Sequence, residues 1–449
     1  MVRPSSVVEL TSLVRDLSTS DRRLAVSGGR HAMGGQQFLS GEVLLDMRGL
    51  DRVLALDHER GHVTAEAGIE WPALMETYLE LQRTQFPGRE PRWGIAQKQT
   101  GADRLTLGGA LSCNAHGRGL LMKPIVADVE SFTLVGPDGR LIDCDRARNQ
   151  ELFRAAIGGY GLLGPIASVT LRLVPRIKLR RVVRVIDIED AVNAARRRVD
   201  AGFLYGDFQF DIDPQSPEFL TKGVFSCYQP VAEDTPMPAL ARELSGADWA
   251  KLLVLAHTDK RKAFELYAQH YLSTDGQIYW SDGHQFASYV DGYHVELDRL
   301  MGSPHTCSEM IGELYVPAVK LVEFLKAAAS LLSERQAQVI YGTIRLIQAD
   351  DETLLAWARE LFTCVIFNLH VEHTPAGIEH AAGSFRALIA LALKYGGSFY
   401  LTYGRFATRE QLLTAYPRIP AFLELKRRHD PQGVFSSDWY RWLVATTEG

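Results

Sequence analysis

Three glycine-rich segments in the first 175 residues constrain this chain more than any other feature of its sequence. The first, VSGGRHAMGGQ at 26–36, follows a short apolar run and places four glycines within eight residues. Glycines in such a loop let the backbone approach a ligand closely and turn its N–H groups towards an anion. The segment lacks both the G-x-G-x-x-G spacing of a Rossmann fold and the closing Lys-Ser/Thr of a P-loop, so neither nucleotide fold is indicated.

The second and third segments indicate a large, flat ligand. The second, LTLGGALSCNAHGRG at 105–119, mixes small residues with hydroxyl, amide and imidazole side chains, and the third, GGYGLLGPI, follows at 158–166. Small side chains leave room for a broad ring system, while the backbone and the polar groups can satisfy its polar edge.

Taken in order, these segments and two runs between them carry a family resemblance. Leu-Leu-Asp-Met ends at Met47, and Ala-Gly-Ile-Glu-Trp ends at Trp71. Over about residues 5–175 the series resembles the FAD-binding domain of the vanillyl-alcohol oxidase superfamily. The resemblance implies an α+β fold with a PCMH-type FAD-binding domain at 1–175, an α+β substrate, or cap, domain at 176–410, and a segment at 411–449 that returns to the FAD domain.

The resemblance also implies which residues contact FAD. They are Ser27, Gly28, Gly29, Arg30, His31, Gly34, Gln36, Thr106, Gly108, Gly109, Ser112, Asn114, His116, Gly117, Gly119, Gly164 and Ile166.

His31 stands where covalent members of the superfamily, such as alditol oxidase, bond the flavin through its dimethylbenzene ring. The resemblance therefore implies a covalent FAD on His31, whereas a histidine considered alone would be a solvated loop residue. Relatives with two attachments add a cysteine shortly before the second glycine segment, and residues 94–106 contain none. A single attachment follows, and Cys113 is expected to be a small buried hydrophobic residue.

Two runs in the second half resemble the aldonolactone and alditol oxidoreductases. Residues 309–317, EMIGELYVP, are similar to their Glu-Tyr-Ala-Val-Pro run, and residues 343–350, TIRLIQAD, are similar to a strand whose arginine lies at the flavin. Arg345 occupies that place within an apolar strand, where an unpaired charge is costly. The cost favours a functional role, with a buried structural ion pair as the alternative.

The catalytic base is left open by the sequence. Where relatives carry His-Trp-Gly-Lys, this chain has Tyr403 in place of the tryptophan and Arg405 in place of the lysine. An arginine stays charged and cannot act as an ordinary base. The expected catalytic residues are Arg345, Arg405, Tyr403 and His370. His373 and His116 are further candidate bases, and Asp207, Gln209 and Asp211 alternate along a strand that could bind a polyol or face solvent.

These residues predict an FAD-dependent oxidoreductase that oxidises a CH–OH group of a polyol, sugar or nucleoside-like alcohol. The substrate hydride would pass to the flavin, and Arg345 or Arg405 would stabilise the resulting negative charge. Dioxygen is the favoured electron acceptor, although Ala115 resembles an alanine that hinders oxygen in aldonolactone enzymes. A dehydrogenase that uses a quinone or protein acceptor and a non-catalytic flavin-bound partner are the alternatives.

Composition excludes several other classes. With a net charge of −5 the chain has no basic surface for nucleic acid, and no apolar run is long enough for a membrane span. Five scattered cysteines without a CxxC pair argue against a disulfide framework, and no metal site is expected. The first residues contain no apolar signal-peptide region, so a cytoplasmic protein is expected.

Hydrophobic periodicity and turn residues predict the secondary structure. A polar stretch rich in Tyr, Trp and His lies at 267–300. The predicted helices are 7–17, capped by Ser5 or Ser6, then 71–81, 319–332 and 385–394. The predicted strands are 24–27, 43–46, 62–68, 131–135, 140–142, 169–174, 207–211, 339–347, 364–371 and 398–402.

Overall fold

The first lobe, residues 1–175, is built around an antiparallel sheet. In the computed structural model, which describes residues 1–286 and 292–449, its helices are α1 (Val7–Ser18), α2 (Trp71–Gln85), α3 (Leu107–Cys113) and α4 (Gln150–Ala156). Its strands are β1 (Leu24–Ser27), β2 (Val43–Asp46), β3 (Val53–Asp57), β4 (His62–Glu66), β5 (Trp93–Gly94), β6 (Val129–Val135), β7 (Leu141–Asp145), β8 (Ile166–Arg172) and β9 (Val174–Pro175). The sheet order is β3-β4-β8-β6-β7, while β1 and β2 form a separate parallel pair.

The first lobe begins with helix α1 and strand β1, and short-range contacts fix both elements. The Ser6 side chain accepts a hydrogen bond from the Glu9 backbone N–H, and α1 then buries Leu10 and Val14 at helical spacing. Strand β1 runs directly into the glycine-rich segment at 26–36, so the loop is anchored at a buried strand end.

The second lobe, residues 176–410, contains a larger antiparallel sheet covered by helices. Its strands are β10 (Lys178–Asp187), β11 (Tyr205–Phe210), β12 (Lys222–Pro230), β13 (Ile278–Trp280), β14 (Cys307–Pro317), β15 (Val339–Ile347), β16 (Phe362–Glu372) and β17 (Ser398–Phe399). Its helices are α5 (Ile188–Asp200), α6 (Gly246–Thr258), α7 (Lys260–Ser273), α8 (Tyr293–Met301), α9 (Leu321–Glu334) and α10 (Pro375–Lys394). The strand order is β13-β10-β12-β11-β15-β16-β14-β17.

Residues near the C-terminus, within the part of the chain at 411–449, contact the first lobe. This C-terminal segment contains most of α11 (Arg409–Ala415), followed by α12 (Ile419–His429) and α13 (Asp438–Glu448). Phe435 is fully buried in a cluster with Leu10, Leu24 and Val135, and Leu24 pairs with Phe435 in a parallel bridge. The Asp438 carboxylate accepts a hydrogen bond from the Ser40 hydroxyl at 2.8 Å.

The α+β class predicted from the sequence is confirmed. Strands 24–27, 43–46 and 339–347 have the predicted bounds, and Ser6 rather than Ser5 caps α1. Helix α10 starts ten residues before the predicted 385, and β17 is shorter than the predicted strand. The polar stretch at 267–300 contains the end of α7, β13 and most of α8, while its residues 287–291 lie outside the described residues. Across the described ranges, every helix is too short or too polar to span a bilayer.

Candidate functional site

A cavity of about 710 Å³ extends between the first and second lobes. Its walls include the glycine-rich loop after β1 and the start of α3 from the first lobe. From the second lobe it takes the inner ends of β11, β14, β15 and β16 together with residues of α6 and α7. A cavity of this size that lies between two lobes is typical of a cofactor and substrate site.

The glycine loop and the start of α3 are in close contact. A side chain at Gly28 would overlap the Thr106 hydroxyl, and one at Gly29 would overlap the Arg104 carbonyl oxygen. Thr106 itself caps α3, since its hydroxyl accepts a hydrogen bond from the Gly109 N–H at 3.2 Å. Glycine is therefore required for the backbone to approach so closely and still leave an open groove beside it.

Unpartnered polar atoms beside this groove fit a large polar ligand such as FAD. The side-chain oxygens of Gln37, Gln99 and Thr100 are buried, line the cavity and have no hydrogen-bond partner among the described residues. Buried polar atoms are almost always paired in a folded protein, so these three suit the ribose, phosphate or ring edge of a dinucleotide.

Many of the cofactor residues expected from the sequence line this cavity. They are Ser27, Gly28, Gly29, Arg30, His31, Gln36, Thr106, Gly108, Gly109, Ser112 and Ile166. His31 is half-buried in the cavity wall, and Arg30 pairs with Asp46 at 3.3 Å.

Other expected cofactor residues lie outside the cavity lining, and their contacts explain why. Asn114 ends α3 in a left-handed conformation, and its amide donates to Asp350 at 2.8 Å while its oxygen accepts from Val126. It therefore supports the loop from behind. The remaining residues of this group are Gly34, His116, Gly117, Gly119 and Gly164, whose surroundings are backbone and neighbouring side chains.

Arg345 projects from β15 into the cavity. It is only 6% exposed, and its Nε and Nη1 atoms have no hydrogen-bond partner within residues 1–286 and 292–449. In the same ranges it makes no ion pair, so the structural alternative considered for it finds no support. A buried guanidinium with two unused donors is suited to bind an oxygen of a ligand.

A buried hydrogen-bond chain leads from the cavity through Glu313 of the second lobe to His116 of the first lobe. Tyr403, which lines the cavity, donates from its hydroxyl to Glu313 Oε2 at 3.2 Å. Glu313 Oε1 lies 2.5 Å from His116 Nε2 and accepts from the Tyr315 hydroxyl. Burial alone would raise the pKa of Glu313, but His116 and Tyr315 lower it to about 2. Burial and the neighbouring Glu313 hold the pKa of Tyr403 well above its usual value.

Two further buried arginines, Arg118 and Arg181, lie where the cavity borders the sheet of the second lobe. Arg118 pairs with Asp207 at 3.1 Å and also donates to the His284 carbonyl oxygen, while Arg181 donates to the Tyr228 hydroxyl at 2.9 Å. All of these except Tyr228 line the cavity. Burial, together with Arg118 and Arg181, holds the pKa of His284 far below its usual value, so its imidazole is neutral.

The structure does not bring Arg405 or His370 to the cavity lining. Arg405 is exposed and donates to the Asp438 carbonyl oxygen at 3.2 Å, so it contacts the C-terminal segment and does not line the cavity. His370 Nδ1 lies 3.5 Å from Glu309, a buried carboxylate that does line the cavity. Neither position supports the expectation that these two residues act directly on the substrate.

Four residues of the site were not among the expected site residues: Arg118, Arg181 and His284, which line the cavity, and Glu313, which contacts the cavity residue Tyr403. Arg118 lies in the His-Gly-Arg-Gly run, and Glu313 lies in the 309–317 run, so both belong to runs that carry the family resemblance. Arg181 and His284 carry no local pattern, and only the sheet order brings them to one place.

The comparisons with known proteins agree with this arrangement. Residues 1–145 match the family model of the FAD binding domain, and residues 301–443 match that of D-arabinono-1,4-lactone oxidase. L-gulono-1,4-lactone dehydrogenase from Mycobacterium tuberculosis is 23% identical over 99% of this chain and 95% of its own length. L-gulonolactone oxidase from Bos taurus is 30% identical over 40% of this chain and 38% of its own, and the mitochondrial L-galactono-1,4-lactone dehydrogenase of Arabidopsis thaliana is 28% identical over 42% and 29%.

Proposed function

We propose that this chain, an FAD-dependent oxidoreductase related to the aldonolactone oxidases and dehydrogenases, oxidises a CH–OH group of an aldonolactone or a related sugar or polyol. The observation that carries the proposal is the Tyr403–Glu313–His116 chain, which reaches the same cavity as the unpartnered donors of Arg345. The hydrogen-bond chain can move a proton, and Arg345 can bind a substrate oxygen.

FAD supplies the hydride-accepting ring when it is bound, and the chain's own residues do the rest. The groove beside Gly28 and Thr106 would hold the pyrophosphate, with Gln37, Gln99 and Thr100 donating or accepting at its polar edge. We propose in addition that His31 carries the flavin covalently, which the position of this residue in the cavity wall supports.

The substrate hydroxyl must lose a proton as its carbon loses a hydride, and Tyr403 is the proposed acceptor, because it lines the cavity and its hydroxyl contacts Glu313. Because the pKa of Tyr403 is raised, its hydroxyl is protonated at neutral pH and cannot act alone as a base. It can instead take the substrate proton while it passes its own to Glu313 Oε2. The carbonyl of Gly117 can only accept a hydrogen bond, so His116 Nδ1, 3.0 Å away, is the donor in that contact, and Nε2 faces Glu313 Oε1.

Arg345 has the complementary role of orienting the substrate and balancing charge. Its two unused donors can hold the ring or carbonyl oxygen of a lactone while the oxidised carbon faces the flavin. Asp207 and Gln209, on the cavity side of β11, can accept from and donate to further hydroxyl groups. Such a lining suits a small, oxygen-rich substrate.

An anaerobic screen tests the proposal. Purified protein is mixed with aldonolactones, alditols, aldoses and nucleosides, and bleaching of the flavin absorbance is followed. We expect aldonolactones or closely related sugars to bleach the flavin, and Arg345→Met to bleach more slowly with the same compound. If FAD is bound and no compound bleaches it, the chain has the role of a flavin-bound partner instead.

A dehydrogenase activity is the second candidate, and Ala115 favours it. Ala115, which resembles an alanine that hinders oxygen in aldonolactone enzymes, is 1% exposed and lies shortly after the end of α3. A relative that matches over 95% of its own length is also named a dehydrogenase. Hydrogen peroxide formed during aerobic turnover identifies an oxidase, whereas turnover that needs an added quinone and forms no peroxide identifies a dehydrogenase.

A further inference from the structure

A second polar cluster, formed by His257, Glu309 and His370, has the composition of a metal centre. Glu309 in β14 stands opposite His370 in the register with β16, and His257 approaches from the last turn of α6. Glu309 Oε1 lies 3.2 Å from His257 Nε2 and 3.5 Å from His370 Nδ1. The three ligand atoms all lie within 4.8 Å of one another.

The spacing of these atoms fits metal ligands better than hydrogen-bond partners. Neither His257 Nε2 nor His370 Nδ1 is aligned to make a hydrogen bond, although both atoms are buried. Two ligand atoms bound about 2.0–2.1 Å from a tetrahedral zinc ion lie about 3.3–3.4 Å apart, and the two observed separations fall on either side of that value. The His116–Glu313 pair provides a contrast, because its 2.5 Å separation is too short for two ligands of one ion.

The metal cluster is supported by Tyr293 behind Glu309, and it borders the cavity. The Tyr293 hydroxyl donates to the other carboxylate oxygen, Glu309 Oε2, at 2.7 Å, as residues behind a metal ligand commonly do. Glu309 and Tyr293 also line the cavity. An ion held by the three side chains could therefore accept a fourth ligand, a water molecule or a substrate oxygen, from the cavity side.

We propose that His257, Glu309 and His370 bind one divalent cation of the zinc class in the wall of the cavity. Two imidazoles with one carboxylate favour Zn²⁺ and similar transition-metal ions over Mg²⁺ or Ca²⁺, which prefer ligand sets made only of oxygen. This site is separate from the Tyr403–Glu313–His116 chain, and it does not depend on the proposed alcohol oxidation.

Metal binding to the flavin-loaded protein tests the proposal without any activity measurement. The protein is dialysed against a chelator, freed of it, and titrated with Zn²⁺ in a calorimeter in the presence of excess Mg²⁺. We expect one Zn²⁺ per chain. Glu309→Gln, which keeps the shape of the side chain, and His257→Ala should abolish this stoichiometric binding. Tyr293→Phe, which removes only the supporting hydroxyl, should weaken it by about 10- to 100-fold.

His373→Ala is the matched control, because this exposed histidine directly follows β16, contacts Ser308 and lies outside the cluster. It should bind Zn²⁺ as the wild type does. Flavin content and the unfolding midpoint show that each variant is folded. The proposal is overturned if the wild type binds no stoichiometric Zn²⁺, or if folded Glu309→Gln and His257→Ala variants bind as tightly as the wild type.

Discussion

His31 is the residue whose chemistry can be tested most directly. It lies in the cavity wall within the loop that packs against Thr106. If it carries the flavin, acid precipitation of the wild type leaves a yellow pellet, and His31→Ala releases its FAD into the supernatant. The absorbance of both fractions measures this. His62→Ala, on β4, is the control and should keep its flavin, whereas acid release of FAD from the wild type would rule out covalent attachment.

Arg345 offers a kinetic test at the same scale. Arg345→Met keeps much of the side-chain volume but removes the two unpartnered donors. We expect flavin reduction by the substrate to slow by at least about tenfold, which corresponds to roughly 1.4 kcal/mol of lost transition-state stabilisation. Stopped-flow absorbance measures the rate, and Arg345→Lys should recover part of it because it restores the charge. An unchanged rate in folded Arg345→Met would show that the arginine is structural.

Ala115 bears on the electron acceptor. If its methyl group limits the access of oxygen, Ala115→Gly should accelerate reoxidation of the reduced enzyme in air and leave anaerobic reduction unchanged. The residue is buried, so the change removes alkyl bulk without adding a polar group. Both half-reactions are measured by stopped flow. Equal reoxidation rates in the variant and the wild type would remove Ala115 from the explanation.

Among the elements, β14 places two carboxylates on one face, since Glu309 and Glu313 are four residues apart in a strand. The depressed pKa of Glu313, about 2 against an ordinary 4.5, makes its ionised form stabilising. That contribution is present above about pH 4.5 and is lost as the pH falls towards 2. The difference in pKa corresponds to roughly 3 kcal/mol.

Glu313→Gln should therefore be less stable than the wild type at neutral pH, and the difference in the free energy of unfolding should shrink as the pH falls from about 4.5 to about 2. Denaturant unfolding at several pH values measures it. Glu80→Gln, at a position that is 68% exposed in its side chain, should show little difference at any pH. A pH-independent gap for Glu313→Gln would mean that its carboxylate does not contribute through ionisation.

Sequence patterns predict best those elements in which the residue types have a high propensity for the structure that is formed and match the observed burial. Strand β15 is buried along nearly its whole length and rich in β-branched residues, so its bounds follow from the sequence. Helix α3 is not predicted, because two of its seven residues are glycines with poor helix propensity. The Thr106 cap and the burial of Leu107, Ala110 and Leu111 compensate for that propensity.

Site residues also differ in how well the sequence predicts them, according to whether their contacts are local or distant in the chain. Residues that contact the cavity through a local loop, such as Gly28 and Thr106, could be predicted because their motif is continuous in sequence. Positions such as Asn114 and His116 belong to a similar motif, but their side chains turn away to partners more than 190 residues distant in the chain. Arg405 also belongs to a motif that is continuous in sequence, but it lies in an exposed loop, and its contact is with Asp438 of the C-terminal segment.

At the scale of the whole molecule, the C-terminal segment holds the first lobe together. Phe435 is fully buried among Leu10, Leu24 and Val135. Phe435→Ala should lower the free energy of unfolding by about 3–5 kcal/mol, the usual effect of removing a buried aromatic ring. Thermal and denaturant unfolding measure it, and Phe38→Ala, at a position 44% exposed, is the matched control. Equal effects at the two positions would contradict a stabilising role for the returning segment.

The contact between Leu24 and Phe435 has a consequence for biosynthesis. A ribosome makes β1 and the glycine loop early, but the residue that covers the apolar side of β1 emerges only 411 residues later, as the difference between positions 435 and 24 gives. Until then Leu10, Leu24 and Val135 lack their final partner. The apolar core around β1 is therefore completed only after the last residues of the chain have been made, and apolar surface that stays exposed until then favours aggregation.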